Sequence, residues 1–279
     1  MLLRFTKMHG LGNDFMMVDL ISQPVTLNPK LIKELSDRRF GIGFDQLLTV
    51  RPPARPDSDF RYTIYNADGS EAEQCGNGAR CFLGFVRDEG LTTKSTIRLE
   101  TSNGNITCKL GKDGNVTVDM GKPALQPGKV PFVADSPQIN YQLSLGPEYP
   151  DTFSISALNV GNPHAVITVP AVDSAPVLEA GPLVERHPRF PEGVNVGFME
   201  VVSRKKIMLR VFERGVGETK ACGSGACAAV VAGRLQGALD DTVDVELTGG
   251  HLSISWGGDN GTIKMTGPTC KVYEGRLQI

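Results

Sequence analysis

At 279 residues the chain has room for two domains of ordinary size. A formal net charge of −2 excludes a broadly basic surface for nucleic acid, and six cysteines are too few for a disulfide scaffold in a chain this long. No apolar run is long enough to span a membrane, and residues 1–6 do not read as a signal peptide, so the default expectation is a cytoplasmic protein.

Abundant glycine and scarce aromatics favour short strands and tight turns over long helices. Residues 2–20 read as strand, turn and strand, with 8–14 as the turn. Asn28-Pro29 followed by Leu31, Ile32 and Leu35 predicts a short amphipathic helix over 29–38. Residues 39–46 form a glycine-rich turn into a strand at 47–50, and the proline-rich stretch 51–59 is a surface loop. Residues 60–65 alternate as a strand should and deliver Asn66 to a turn. Further strands follow at 96–100, 104–109 and 115–119, with Asp113-Gly114 as a hairpin turn.

One stretch occurs twice: Cys75-Gly76-Asn77-Gly78-Ala79 and Cys222-Gly223-Ser224-Gly225-Ala226. Each runs into an apolar segment that closes on a glycine, Gly90 or Gly237, at the same spacing from its cysteine. These are two matched helices with a cysteine at each N-terminus. Other features recur at nearly one offset. Gly161-Asn162 answers Gly12-Asn13, Gly193-Val194-Asn195 answers Gly43-Phe44-Asp45, Glu213 answers Asn66, and Asn260-Gly261 answers Asp113-Gly114. The Pro- and Gly-rich stretch 121–151 marks the boundary. The expected fold is α+β, with two pseudo-symmetric domains. Each is a curved sheet or barrel wrapped around a central helix that is apolar on almost every side, and the active site lies in the cleft between them. The expected domains are 1–121 plus 268–279, carrying Cys75, and 122–267, carrying Cys222. Few segments alternate as β-α-β, which argues against a doubly wound parallel sheet.

A helix N-terminus offers unpaired N–H groups and partial positive charge, which bind a carboxylate and lower a thiol pKa. Cys81, Cys108, Cys227 and Cys270 read as small buried residues, whereas Cys75 and Cys222 recur at one point of a duplicated helix start. Zinc fits poorly, since the cysteine spacings do not match and no histidine lies near either pair. Gly223-x-Gly225-x-x-Ala228 fits a dinucleotide turn only loosely. Acid–base catalysis fits best. A thiol on each face of a carbon alpha to a carboxylate would invert it, with backbone N–H groups stabilising the developing charge. No P-loop and no lysine context for pyridoxal phosphate is visible, so no cofactor and no metal is expected.

The chain resembles diaminopimelate epimerases over essentially its whole length. The likeness is carried by residues 7–15, 41–47 and 65–80, then by Gly161-Asn162-Pro163-His164, Gly193-Val194-Asn195, residues 213–219, and Ala221 with the second cysteine motif. It implies interconversion of LL- and meso-diaminopimelate, without pyridoxal phosphate, in lysine and peptidoglycan precursor biosynthesis, by a cytoplasmic homodimeric isomerase. It implies Cys75 and Cys222 as the acid–base pair, with the N–H groups of Gly76, Asn77, Gly223 and Ser224 on the reacting carboxylate. His164 and Glu213 would hold the reacting amino group, and Asn13, Gln46, Asn66, Asn162, Asn195 and Arg214 would line the site. Tyr273 would contact a second subunit. The only expected ligand is the small-molecule substrate, with neither nucleic acid nor membrane as partner. The alternative is a proline racemase- or hydroxyproline epimerase-like enzyme, whose cyclic monocarboxylate would leave Arg214 and the amides without a purpose.

Overall fold

The computed structural model describes residues 2–72, 75–102, 104–146, 149, 152–258 and 261–279. The chain divides into two compact units, Met1–Asp119 with Thr266–Ile279, and Met120–Met265.

In the first unit, β1 (Leu2–Gly10) and β2 (Asn13–Asp19) form an antiparallel hairpin whose turn is shorter than the sequence predicts. Pairing extends to Gly10 and Asn13, leaving only Leu11 and Gly12, at φ 57° and 88°. That backbone matches the twist of the flanking strands. It costs a leucine about 1–2 kcal/mol, and Leu11 is held there by burial, next to Asn13. α1 (Pro29–Ser36) ends two residues early, because Asp37 is extended and its Oδ1 accepts the N–H groups of Arg39 and Phe40. β3 (Gln46–Arg51) runs parallel to β2, and β4 (Phe60–Asn66) returns antiparallel with β5 (Glu71–Ala72) folded back on it. α2 (Gly76–Asp88) then leads to β6 (Thr96–Thr101), parallel to β4, and to the antiparallel β7 (Gly104–Leu110) and β8 (Val116–Asp119).

The second unit repeats the sequence of elements. β9 (Tyr141–Ser144) pairs with β10 (Thr152–Asn159), which forms a hairpin with β11 (Pro163–Thr168). α3 (Val177–Glu185) leads to β12 (Asn195–Ser203), parallel to β11, then to β13 (Lys206–Glu213) and the short β14 (Gly217–Thr219). α4 (Gly223–Leu235) leads to β15 (Thr242–Leu247), parallel to β13, and to β16 (Gly250–Ser255). β17 (Lys264–Gly267) leads the chain back to β18 (Cys270–Gln278), which pairs antiparallel with β1.

Contrary to the sequence reading, β-α-β units are not few: α1, α2, α3 and α4 each join two strands paired in parallel. Antiparallel hairpins separate these units, so the sheets are mixed and the class is α+β. In α2 and in α4 alike, ten of thirteen residues are buried. α2 packs on β1, β2, β3, β7 and β8, and α4 on β10, β11, β12, β13 and β16, so curved sheet surrounds each helix and leaves it no polar face. The other sheet faces are covered by α1, through Ile32 and Leu35, and by α3, through Val177, Ala180 and Val184.

Nothing in the sequence reading places a helix at α3, which has no side-chain cap and contains Pro182. It forms because its apolar face completes a core with Phe132, Tyr141, Phe190 and Phe198. Cys270 also departs from expectation. It is exposed, at the start of a strand whose first five residues all face solvent, so there is no apolar face to bury it. The expected turn at Asn260 lies outside the described residues. Among the described residues no helix is long and apolar enough to cross a membrane.

Candidate active site

Cys75 is the N-cap of α2, and its Sγ accepts the Gly78 N–H at 3.3 Å. Tyr62 donates its hydroxyl to the Cys75 carbonyl at 3.1 Å, which fixes the strand-to-helix corner. A side chain at Gly78 would run into Tyr62 Oη and Leu48, so the close approach of α2 to β4 needs glycine there. Asn13 lies beside the thiol, with Oδ1 3.6 Å from Cys75 Sγ and 3.4 Å from Asn77 Nδ2. Its Nδ2 donates to Asp45 Oδ2 at 3.0 Å, and Arg38 bridges Asp45 and Asp14. Burial alone would push the Asp14 carboxyl up, but hydrogen bonds from Arg38 and Lys7 outweigh it and hold the group well below the usual carboxylate range. A second pair stands on adjacent strands: Gln46 Nε2 donates to Asn66 Oδ1 at 3.1 Å, and Asn66 Nδ2 to Ser70 Oγ at 3.1 Å.

Cys222 is the N-cap of α4, but its surroundings differ. Its thiol donates to Glu213 Oε2 at 3.1 Å, while Glu213 Oε1 accepts the Thr219 hydroxyl, and Ser224 Oγ lies 3.6 Å from the sulfur. The helix N-terminus is expected to lower a thiol pKa. Instead burial pushes the Cys222 thiol well above 9.0, and the Glu213 carboxylate adds to that, against smaller opposing bonds from Ser224 and Gly225. Cys222 therefore rests as a protonated thiol.

His164 is fully enclosed on β11, in parallel register with Asn195 on β12. Burial, together with the nearby Arg214 charge, pushes its pKa from 6.5 to about 3, so the ring is neutral. With Nε2 2.8 Å from Asn162 Oδ1, the proton sits on Nε2 and Nδ1 is left as an acceptor. Asn195 donates Nδ2 to the Pro163 carbonyl at 2.9 Å and accepts the Arg214 N–H on Oδ1 at 3.0 Å. Arg214 Nη1 donates to the Glu192 carbonyl at 2.9 Å, so this is not a surface ion pair. Its stem runs over Gly193, where a Cβ would sit 3.0 Å from Arg214 Cδ.

The first unit thus joins Asn13 to Cys75 and Asn77, and Gln46 to Asn66. The second joins Glu213 to Cys222 and Ser224, and Asn162, His164, Asn195 and Arg214 to one another. Gly76 and Gly223 are the first residues of their helices. Tyr273 stands apart on β18, 45% exposed and edge-on to Phe5. Sequence reasoning gave no role to Tyr62, Ser70 or Thr219. The hairpin pairs Glu213 with Gly217 and Val211 with Thr219, which leaves Thr219 diagonal to Glu213 on the same face. An open cavity of about 670 Å³ between Arg4, Phe85, Glu89 and Arg276 contains none of these residues and lies at the C-terminal end of α2, the wrong end for a carboxylate.

A sequence profile described as diaminopimelate epimerase matches residues 5–126 and 156–272. The chain is 56% identical over 279 residues to a diaminopimelate epimerase from Ectopseudomonas mendocina and 57% identical over 280 residues to one from Azotobacter vinelandii, covering 100% of both chains each time. Its fold is similar to that of a hydroxyproline epimerase from Agrobacterium vitis, with a TM-score of 0.72 at 14% identity, covering 99% of this chain and 92% of that one. It is also similar to a phenazine biosynthesis protein from Bacillus anthracis, with a TM-score of 0.69 at 15% identity over 100% of both.

Proposed function

The chain belongs to the diaminopimelate epimerase family, and from that premise we propose that it interconverts LL- and meso-diaminopimelate by two-base proton exchange at one alpha carbon. The class is that of the pyridoxal-phosphate-independent epimerases and racemases, and the substrate we assign within it is diaminopimelate, in lysine and peptidoglycan precursor synthesis. The observation that carries it is the pair of cysteine N-caps at matched helix starts, with Asn13 Oδ1 and the Gly78 N–H on Cys75 and the Glu213 carboxylate on Cys222.

An N–H donated to sulfur favours a thiolate, and a carboxylate accepting S–H favours a thiol. Cys75 then acts as base on one face of the carbon and Cys222 as acid on the other, and the roles exchange in the reverse direction. The base takes the alpha proton to become a thiol. Charge moves into the substrate carboxylate, which the N–H groups of Gly76, Asn77, Gly223 and Ser224 would stabilise. The acid returns a proton from the opposite side and becomes the thiolate. Neutral His164 Nδ1 and the Glu213 carboxylate would accept from the reacting ammonium. Arg214 uses one N–H on Glu192 and would turn the rest of its fork to the distal carboxylate, with Asn13, Gln46, Asn66, Asn162 and Asn195 as amide partners for the distal end. No cofactor enters this scheme, and Tyr273 is proposed as a homodimer contact.

The test is turnover of LL-diaminopimelate in D₂O with no cofactor added. Product should carry deuterium at the inverted centre at low conversion while recovered substrate stays unlabelled, and Cys75→Ala and Cys222→Ala should each lose more than the ~10²–10⁴-fold credited to one acid–base group. Turnover of hydroxyproline in place of diaminopimelate would transfer the assignment to the alternative substrate. Equal early labelling of substrate and product would end the two-base reading.

A further inference from the structure

We infer that Glu185, the last residue of α3, is a positioning residue for the Glu213–Cys222 pair, acting through the Gly215 amide. Glu213 is the last residue of β13, Arg214 opens the turn that follows it, and two side chains reach that turn's backbone. Asn195 Oδ1 accepts the Arg214 N–H at 3.0 Å, and Glu185 Oε1 accepts the Gly215 N–H at 2.7 Å. Val216, in the same turn, is 75% exposed and gives it no apolar anchor. The turn must nevertheless hold a carboxylate within 3.1 Å of the Cys222 sulfur.

Glu185 is badly placed for stability alone. Its side chain is only 8% exposed, and it ends a helix, where the dipole disfavours an anion. Among the described residues its second oxygen meets Arg186 Nε, 3.6 Å away on a side chain that is 82% exposed. A neutral apolar residue would extend α3 at less cost. What the carboxylate does achieve is a short bond to the turn that bears Glu213.

The first unit has the same device in other chemistry. Ser36 is the last residue of α1, and its Oγ donates to the Ala67 carbonyl at 2.9 Å, in the turn that follows Asn66. Ser36 and Glu185 are related by the same offset as Gly12-Asn13 and Gly161-Asn162. In each unit the end of the crossover helix is thus tied to the turn bearing the site residue, by a donated bond in one and an accepted bond in the other. The catalytic consequence rests on the acid–base reading of Cys222 above.

The experiment measures iodoacetamide alkylation of each cysteine by peptide mass spectrometry, with kcat and KM for LL-diaminopimelate, in the wild type, Glu185→Ala, Glu185→Gln and Ser36→Ala. In Glu185→Ala the turn loosens, Glu213 leaves the thiol, and Cys222 ionises more readily. Its alkylation should rise about 2- to 10-fold, the range set by one hydrogen bond, while buried Cys81, Cys108 and Cys227 stay unreactive. kcat should fall by a similar factor with a smaller change in KM. Glu185→Gln keeps an oxygen for the Gly215 N–H and should restore most of both, and Ser36→Ala should leave the Cys222 rate unchanged. An unchanged Cys222 rate in Glu185→Ala, a rise only in step with Cys227, or a Gln variant no better than Ala would overturn the inference. The alkylation rates decide it even if the wild type does not turn over diaminopimelate, a result that would sink the substrate assignment instead.

Discussion

Cys75 and Cys222 begin from the same backbone position and meet different side chains, because Asn66 closes β4 in one unit and Glu213 closes β13 in the other. Glu213 brings a carboxylate, held by Thr219, to within hydrogen-bonding distance of its thiol, while the Asn66 carboxamide is turned to Gln46 and Ser70. Arg214 sits next to that carboxylate, with its backbone fixed by Asn195 and its guanidinium by the Glu192 carbonyl. With Arg214 as the partner of the distal carboxylate, Arg214→Ala should lose at least the ~1.5–3 kcal/mol of a charge-assisted hydrogen bond. In steady-state kinetics that appears as a KM for LL-diaminopimelate raised at least about tenfold, with poorer rejection of the DD isomer. Unchanged KM and unchanged preference would remove Arg214 from the substrate shell.

At the scale of elements, the two cysteine helices begin alike, but burial and the Glu213 carboxylate push the Cys222 thiol up, against smaller opposing bonds from Ser224 and Gly225. The crossover helices matter as much as the cysteine helices, because they press on the strands whose ends carry the site. α3 does so at Gly181, where a Cβ would lie 2.8 Å from Phe212 Cγ, one residue before Glu213. Helix propensity favours Gly181→Ala by about 0.5–1 kcal/mol, whereas overpacking a tight contact costs about 1–3 kcal/mol. The contact should win, because the opposing atoms lie near the root of Phe212 and cannot swing away. Gly181→Ala should therefore lower the midpoint of thermal unfolding, and a higher midpoint would show that α3 has room to shift.

For the whole molecule the main consequence is acid sensitivity. His164 has a folded pKa of about 3 against an ordinary 6.5, so as pH falls below 6.5 the unfolded chain takes up a proton that the folded chain refuses. Its contribution is fully present above pH 6.5 and declines down to about pH 3, at up to about 1.4 kcal/mol per pH unit. Asp14, depressed below its ordinary 3.8, adds a loss that starts lower, as acid neutralises it in the unfolded chain first. Urea melts at a series of pH values should show stability falling from pH 6.5 downward in the wild type and a flatter slope between pH 6.5 and 4 in His164→Gln. Parallel slopes in the two proteins would mean that His164 already titrates in the folded state.

The sequence by itself determined the duplication, the two cysteine helices, their near-complete burial and the class of fold. These follow from local spacing and from apolar patterning that wraps each helix, and both are written into neighbouring residues. It also pointed to Asn13 and Glu213, which stand at strand ends and which the structure places beside Cys75 and Cys222. Only the tertiary structure decided the rest. α3 has no local signal and exists because the core behind β12 and β13 needs covering. Cys270 is exposed because β18 presents a run of side chains to solvent, which the identity of one cysteine cannot reveal. The raised pKa of the Cys222 thiol depends on burial and on a carboxylate nine residues away along the chain but 3.1 Å away in space. Desolvation and through-space charge are properties of the packed molecule, and a one-dimensional pattern does not contain them.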